Sequence, residues 1–242
     1  MSKNNYSISF IFPIYNEEKR LTNLFKNLTK FELKNNNCEY IFVNDGSLDR
    51  SLNYILTFIK KNKKKNYRII SYKKNKGKGF ALKEAVKIAK KKWILTLDAD
   101  LSVKLEQILY WFKNYEINKK KVYFGSRNHD LSIIEAKTYR KLIGKILNIF
   151  IELILSKKIS YIRDTQCGFK LYPNIIGKLV FNKISIFNFA HDIEILTILV
   201  KKNIKVLELP IKWKHHDDSK VNIFLDSIKF LFSIFQIKRK YF

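Results

Sequence analysis

Two aspartates one residue apart, Asp98 and Asp100, stand directly after a short apolar run of this 242-residue sequence. Carboxylates in such a pair can hold Mg²⁺ or Mn²⁺, hard cations that bridge the phosphates of a nucleoside diphosphate. A structural alternative exists, because Asp100 or Ser102 could cap a helix that begins at Val103. On its own, the pair leaves a metal site and a helix cap equally open.

Two further polar motifs also follow apolar runs. Pro-Ile-Tyr-Asn-Glu at residues 13–17 ends the run 7–13, and Asn-Asp-Gly-Ser at residues 44–47 ends the run 39–43. Apolar residues at helical spacing lie between such runs, which predicts strands alternating with helices and a mainly parallel sheet. Ligands bind outside the carboxyl ends of the strands in sheets of this kind. We therefore expect the three motifs to converge on one edge of the sheet.

The predicted elements fill the first half of the chain. Strands are expected at residues 7–13, 39–43, 68–72, 93–97 and 122–125, and helices at residues 17–31, 52–59 and 80–91. The sequence has neither the Gly-x-Gly-x-x-Gly pattern of dinucleotide binders nor the Gly-Lys-Ser/Thr of phosphate loops. We expect one α/β catalytic domain over residues 1–212 and a C-terminal substrate loop and helix over residues 213–242.

The chain is strongly basic, with a net charge of +27, but only seven of its 48 basic residues are Arg. A basic surface attracts nucleic acid, anionic lipid or phosphorylated substrates. The Lys residues are spread along the whole chain and no nucleic-acid-binding motif accompanies them, so nucleic acid is not an expected partner. A basic polyanion-binding protein without enzymatic chemistry stays the alternative from another class. Cys38 and Cys167 lack metal-ligand spacing.

Two segments are unusually apolar for surface helices. Residues 142–155 and residues 221–242 each end in or near a basic cluster that anionic headgroups would attract. No signal peptide and no apolar run of about 18 residues is recognisable, so we expect peripheral attachment at the cytoplasmic face of a membrane. The alternatives are core helices or a dimer interface.

The ordered motifs, taken together, resemble those of family 2 inverting glycosyltransferases. They are Phe-Pro-Ile-Tyr-Asn-Glu-Glu at residues 12–18, Asn-Asp-Gly-Ser-Leu-Asp at 44–49, Asn-Lys-Gly-Lys-Gly at 75–79 and Asp-Ala-Asp at 98–100. Arg-Asp-Thr-Gln-Cys-Gly-Phe-Lys at residues 163–170 resembles the signature of dolichyl-phosphate glucosyltransferases and their bacterial relatives. The resemblance implies a GT-A, Rossmann-like fold. It also implies transfer of a hexose, glucose from UDP-glucose, to a polyprenyl phosphate, with Mg²⁺ or Mn²⁺ as cofactor.

The resemblance also implies roles for the matching residues. Asp100 would be the principal metal ligand with Asp98 beside it, and Ser102 stands where a mannose-synthase relative carries a metal-binding Gln, which leaves the third ligand open. The donor would be bound by Pro13, Tyr15, Glu17, Asp45, Lys76, Gly77, Asp98 and Lys220. The acceptor would be bound by Arg127, Arg140, Gln166 and Phe169. Arg suits phosphate because its fork of donors matches the phosphate oxygens, and surface salt bridging is the alternative for these residues.

The acceptor decides whether a general base is needed. A phosphate monoester has a second pKa of about 6 and is already anionic at neutral pH, whereas a sugar hydroxyl must lose a proton as it attacks. Asp192 lies in the region where other family 2 enzymes carry a catalytic carboxylate, and it could instead orient an Arg or Lys. Transfer to a glycan hydroxyl with Asp192 as base is therefore one alternative, and a GDP-mannose-dependent synthase is another.

Overall fold

The computed structural model describes residues 6–32, 37–62, 66–135, 161–215 and 223–242. The strands are β1 Ile8–Ile14, β2 Cys38–Asp45, β3 Tyr67–Tyr72, β4 Trp93–Thr96, β5 Lys121–Ser126, β6 Ile133–Glu135, β7 Lys170–Pro173, β8 Lys205–Pro210 and β9 Lys212–Lys214. The helices are α1 Glu18–Glu32, α2 Ser51–Lys61, α3 Lys78–Ile88, α4 Gln107–Asn114, α5 Asn174–Lys183, α6 His191–Lys201 and α7 Ile223–Tyr241.

Seven strands form one sheet in the order β3-β2-β1-β4-β7-β5-β8. Each pair of neighbours is parallel except where β7 runs antiparallel between β4 and β5. The predicted mainly parallel α/β sheet is thus confirmed. The antiparallel strand was not predicted, because its four residues, Lys-Leu-Tyr-Pro, do not form a continuous apolar run such as Trp-Ile-Leu in β4.

Helices cover both faces of the sheet, which is why the central strands are apolar at nearly every position. Phe10 and Phe12 of β1 point into a core with α1, α2 and α4, whereas Ile11 points into a second core with α3, α5, α6 and α7. This two-layer burial fixes the register of the sheet, because a slip by one residue would exchange the two faces of every strand.

The C-terminal part of the chain packs against the rest. Strand β9 pairs in parallel with β6, so the predicted boundary at residue 212 falls on the first residue of a strand. Helix α7 contributes Phe230, Ile234 and Ile237 to the second core. Among the described residues, no helix combines the length and the apolar character needed to span a bilayer. The predicted membrane segment 142–155 lies outside the described residues.

Candidate active site at the carboxyl edge of the sheet

The loops that follow β1 and β2 are bonded to each other at the carboxyl edge of the sheet. The backbone N–H of Asn16 donates to Ser47 Oγ (3.0 Å), and Asn16 Oδ1 accepts from the N–H of Leu48 (2.7 Å). Asn16 has φ of 55°, a left-handed conformation that Asn tolerates better than most residues. Tyr15 stays 40% exposed at this edge. The carboxylate of Glu17 forms an ion pair with Arg20 (3.0 Å).

Asp45, at the end of β2, shapes the loop that leads into α3. Its carboxylate accepts hydrogen bonds from the backbone N–H of Lys76 (2.8 Å) and Gly77 (2.9 Å) and from Asn75 Nδ2 (3.0 Å). Burial raises the pKa of Asp45, although these donors act in the opposite direction. Asp45 therefore fixes the backbone beside which a donor would lie, and its predicted contact with a nucleotide base stays a prediction.

The amino-terminal end of α3 is held at the same edge by glycines. Gly77 has φ of 94° and ψ of 155°, a combination that is essentially restricted to glycine. The N–H of Gly79 donates to the carbonyl of Phe187 (2.9 Å), and a side chain at Gly77 or Gly79 would collide with this segment. The N-terminus of a helix carries a partial positive charge, so this end of α3 suits a phosphate group. Neighbouring Lys76 is exposed, with Nζ 4.5 Å from the ring centroid of Phe80.

The aspartate pair lies beside this helix end. Lys78, in the first turn of α3, donates from Nζ to Asp98 Oδ1 at 2.5 Å. Burial would lower the pKa of Lys78, but the carboxylates of Asp98, Asp192 and Asp100 together raise it above its usual value. Lys78 was not predicted as a site residue, since its partner lies 20 residues away in the sequence. The Asn-Lys-Gly-Lys-Gly motif that contains it was the available signal.

Asp100 is not a helix cap. Its Oδ1 accepts from the N–H of Ser102 (2.8 Å) in a turn that places Leu101 at φ of 54°, and helix α4 begins only at Gln107. The helix-cap interpretation of the pair is therefore wrong. The turn presents Asp100 at the site edge, where it is partly exposed.

The segment 164–169 forms a floor beneath Asp98. Thr96 Oγ1 donates to the carbonyl of Gly168 (3.0 Å), and any Cβ at Gly168 would overlap the Asp98 carboxylate. Gln166 is partly exposed here. The structure corrects the prediction for Phe169, because its ring is buried edge-on against Trp111 in the core and cannot contact an acceptor.

Arg127 follows β5 and forms a bidentate ion pair with buried Asp164. Arg127 Nε and backbone N–H donate to Asp164 Oδ2 (2.7 and 2.8 Å), and Nη2 donates to Oδ1 (2.8 Å). Burial alone would raise the pKa of Asp164, but Arg127 holds it below its usual value. The Arg127 side chain is 36% exposed, and its Cζ lies 5.9 Å from the ring centroid of Trp213. Arg140 and Lys220, the other predicted cations, lie outside the described residues.

Asp192, in the first turn of α6, is buried beneath the same edge. Its Oδ1 lies 2.6 Å from Lys170 Nζ and 3.4 Å from His191 Nε2. Burial lowers the pKa of His191, whose Nδ1 contacts the carbonyl of Asn188, and this agrees with a structural role. Glu194 points elsewhere and accepts hydrogen bonds from Ser185, Ile186, Lys240 and Tyr241.

The aspartate pair suits one kind of metal site. Among the described residues, no three His, Cys, Asp or Glu side chains converge to form a closed cage. Mg²⁺ is commonly held by one or two carboxylates, with substrate phosphates and water as the remaining ligands. Asp98 and Asp100 therefore fit a divalent cation whose coordination a bound diphosphate completes.

The family model described as Glycosyl transferase family 2 matches residues 9–186, about three quarters of the chain. The chain belongs to glycosyl transferase family 2. This family 2 glycosyltransferase is 30% identical to the dolichyl-phosphate beta-glucosyltransferase of Dictyostelium discoideum, with 98% of this chain aligned to 75% of the relative. It is 32% identical to the enzyme of that name from Saccharomyces cerevisiae, with 97% of this chain aligned to 75% of the relative. The predicted family is thereby confirmed, and the non-enzymatic alternative is set aside.

Solved structures support the fold of this glycosyltransferase. Glucosyl-3-phosphoglycerate synthase from Mycobacterium tuberculosis, crystallised with Mn²⁺, UDP and its product, superposes with a TM-score of 0.68 at 11% identity, over 98% of this chain and 81% of that one. Mannosyl-3-phosphoglycerate synthase from Rubrobacter xylanophilus gives 0.67 at 12% identity, over 97% of this chain and 73% of that one. At such low identities the likeness is one of fold, and it confirms the predicted GT-A architecture.

Proposed function

We propose that this glycosyltransferase transfers glucose from UDP-glucose to the phosphate of a dolichyl-type polyprenyl lipid, with inversion at the anomeric carbon. The similarity to dolichyl-phosphate beta-glucosyltransferases carries this proposal, because it extends over nearly the whole chain and includes the floor segment 164–169 as well as the donor motifs. A structural neighbour crystallised with UDP and Mn²⁺ on the same fold supports the choice of donor and cofactor.

The donor diphosphate is proposed to lie between Asp100 and the amino-terminal end of α3. Lys78 and the positive end of the α3 helix dipole would stabilise the negative charge that develops on departing UDP. Asp100, with Asp98 beside it, would hold a divalent cation, which would neutralise part of the diphosphate charge. Lys220 is proposed to contribute a further positive charge there, whereas Tyr15 and Pro13 would border the nucleoside.

The acceptor phosphate is proposed to bind at Arg127, together with Arg140 and Gln166. One phosphate oxygen attacks the anomeric carbon from the face opposite UDP and forms a new carbon–oxygen bond. The bond between the anomeric carbon and the diphosphate oxygen breaks, and its electron pair leaves with UDP. The acceptor oxygen is already anionic, so no side chain has to remove a proton. Positioning and charge stabilisation are then sufficient to drive the transfer.

Burial of Asp192 favours a phosphate acceptor over a glycan hydroxyl. A hydroxyl acceptor needs a base within hydrogen-bond reach of the attacking oxygen. Asp192 is only 6% exposed and is already paired with Lys170. A carboxylate in this setting is poorly placed to receive a proton from a sugar.

We also propose that helix α7 attaches the protein peripherally to the cytoplasmic face of a membrane. Phe232 and Phe235 are 69% and 58% exposed on its outer face, and Lys238 and Arg239 are exposed one turn further on. Exposed aromatic residues beside basic ones suit an anionic lipid surface. Flotation with phosphatidylserine vesicles tests this: the double change Phe232→Ser and Phe235→Ser should reduce binding, whereas Ile175→Ser, at an exposed site on α5, should not.

The reaction is tested with purified protein, Mg²⁺, a short-chain polyprenyl phosphate and either radiolabelled UDP-glucose or GDP-mannose. We expect label from UDP-glucose in the organic phase. Label from GDP-mannose alone would overturn the proposed sugar and nucleotide. Binding of UDP-glucose without transfer to lipid, combined with transfer to a glycan, would overturn the proposed acceptor.

A further inference from the structure

The buried pair of Lys170 and Asp192 lies directly beneath the site, although neither residue reaches the bulk solvent. Lys170 is 1% exposed and Asp192 is 6% exposed, and their charged atoms are 2.6 Å apart. The ammonium of Lys170 also lies 4.8 Å from the ring centroid of Phe124. Burying two charges costs desolvation free energy that their mutual attraction only partly offsets, so a buried ion pair is weak evidence for stability alone. We therefore ask what else this pair does.

Lys170 and Asp192 belong to different elements on two sides of the site. Lys170 is the first residue of β7, opposite Thr96 of β4, and it directly follows the floor segment 164–169. The floor carries Gly168, which lies against the Asp98 carboxylate. A shift of Lys170 would therefore be transmitted to Asp98 over a distance of two residues.

Asp192 belongs to the wall on the donor side. It is the second residue of helix α6, which follows the α5–α6 loop. The Phe187 carbonyl of that loop accepts a hydrogen bond from the N–H of Gly79 and lies against Gly77. His191 contacts Asn188 of the same loop through Nδ1 (2.7 Å). A shift of Asp192 would therefore displace the support of the amino-terminal end of α3.

We infer that Asp192 is a positioning residue whose ion pair with Lys170 locks the floor beneath Asp98 to the loop that supports the amino-terminal end of α3. This inference rests on the proposed function, in which both walls contact the donor diphosphate. It assigns the carboxylate no proton transfer. What matters is that the two charges match, so removal of both should be tolerated better than removal of either one.

A double-mutant cycle tests the pair: Asp192→Asn, Lys170→Met and the double variant, each compared with the unmodified protein. The readouts are UDP affinity by calorimetry with Mg²⁺, donor KM and kcat for transfer, and the thermal midpoint. Each single change leaves one buried charge unpaired, so we expect UDP affinity to fall by about tenfold or more in each. The double variant should recover to within about threefold of the unmodified protein, because the two effects are coupled.

Glu39→Gln is the matched control. Glu39 is a buried carboxylate that bonds Ser9 and Arg68 at the amino-terminal end of β2, the opposite end of the sheet. We expect this variant to lower the thermal midpoint and to leave UDP affinity unchanged. A pair with a purely structural role would behave in the same way as this control, and that result would overturn the inference.

A catalytic base gives a different pattern of activities. If Lys170→Met stays active while Asp192→Asn and the double variant are equally inactive, the carboxylate itself is required and the inference is wrong. If both single variants fail to fold, UDP affinity of the double variant decides: an affinity within about threefold of the unmodified protein supports the inference. A folded double variant that has lost UDP affinity by about tenfold, or a double variant that fails to fold, contradicts it. UDP binding needs no acceptor, so an absence of lipid-phase label in the unmodified protein would count against the proposed function alone.

Discussion

The donor side and the acceptor side of the site are built differently. On the donor side, the Asp45 carboxylate fixes the loop around Gly77 by accepting hydrogen bonds from the backbone N–H groups of Lys76 and Gly77. On the acceptor side, Arg127 is held by the buried carboxylate of Asp164 through its side chain. We therefore expect donor binding to depend on backbone conformation and acceptor binding to depend on matched side-chain charges. In the proposed reaction, the aspartate pair stands between the two sides and would serve both.

The largest effect is expected from Asp100→Asn, which removes the proposed metal ligand shared by both sides. Transfer should fall by at least about a hundredfold, equivalent to roughly 3 kcal/mol of transition-state stabilisation. Steady-state transfer assays with a titration of Mg²⁺ measure this loss. Glu106→Gln, at a nearby exposed carboxylate, should retain activity, and an equal loss in that variant would contradict the assignment.

Arg127→Lys should impair the acceptor side alone. Lys cannot reproduce the bidentate geometry, so acceptor KM should rise by about tenfold or more while donor affinity changes little. Arg163→Lys is the control, because Arg163 is 49% exposed and each of its ion pairs, with Asp130 (3.2 Å) and Glu208 (3.7 Å), rests on a single nitrogen. A matching rise in the UDP dissociation constant would show that Arg127 serves both sides.

Gly77→Ala should impair the donor side alone. A Cβ would strain this backbone by about 1–3 kcal/mol and would meet the Phe187 carbonyl, so donor KM should rise by roughly tenfold. Gly177→Ala in α5 would crowd only the flexible end of Ile94, and we expect it to change stability and not donor KM. An unchanged donor KM in Gly77→Ala would contradict the dependence of donor binding on the backbone conformation at Gly77.

The smallest effect concerns stability and pH. The pKa of Asp164 is lowered in the folded state, so its pairing stabilises the fold above its unfolded pKa of about 4 and this contribution is lost as the pH falls through the folded pKa. Urea unfolding should therefore show Asp164→Asn to be less stable than the unmodified protein at pH 7, with a difference that shrinks toward pH 3. A constant difference across that range would contradict the pairing.

The sequence predicted a mainly parallel sheet and the edge at which the motifs meet, because the apolar periodicity of each element is local and ligands of such sheets bind at the carboxyl ends of the strands. It did not predict β7 or the contact of Lys78 with Asp98, since both depend on residues far apart in the chain. Phe169 was assigned to the acceptor because it lies inside a site signature. A signature marks neighbours in sequence, and alternate residues of such a segment can enter the core.

The ion-pair partner of Arg127 was likewise not predicted from the sequence. The family resemblance and the donor geometry of Arg indicated a phosphate site, but Asp164, 37 residues further along, binds two of the guanidinium nitrogens. The salt-bridge alternative and the phosphate interpretation are therefore compatible at this residue, because a carboxylate paired with a partly exposed Arg side chain can orient it.

The docking of helix α7 has a consequence for synthesis on the ribosome. Phe230, Ile234 and Ile237 complete the core layer formed by α3, α5 and α6, yet they are translated after all three of those helices. The nascent chain would therefore expose an apolar face until helix α7 emerges, whereas the layer formed by α1 and α2 can already have closed. Chaperones that bind apolar surface would meet that face first.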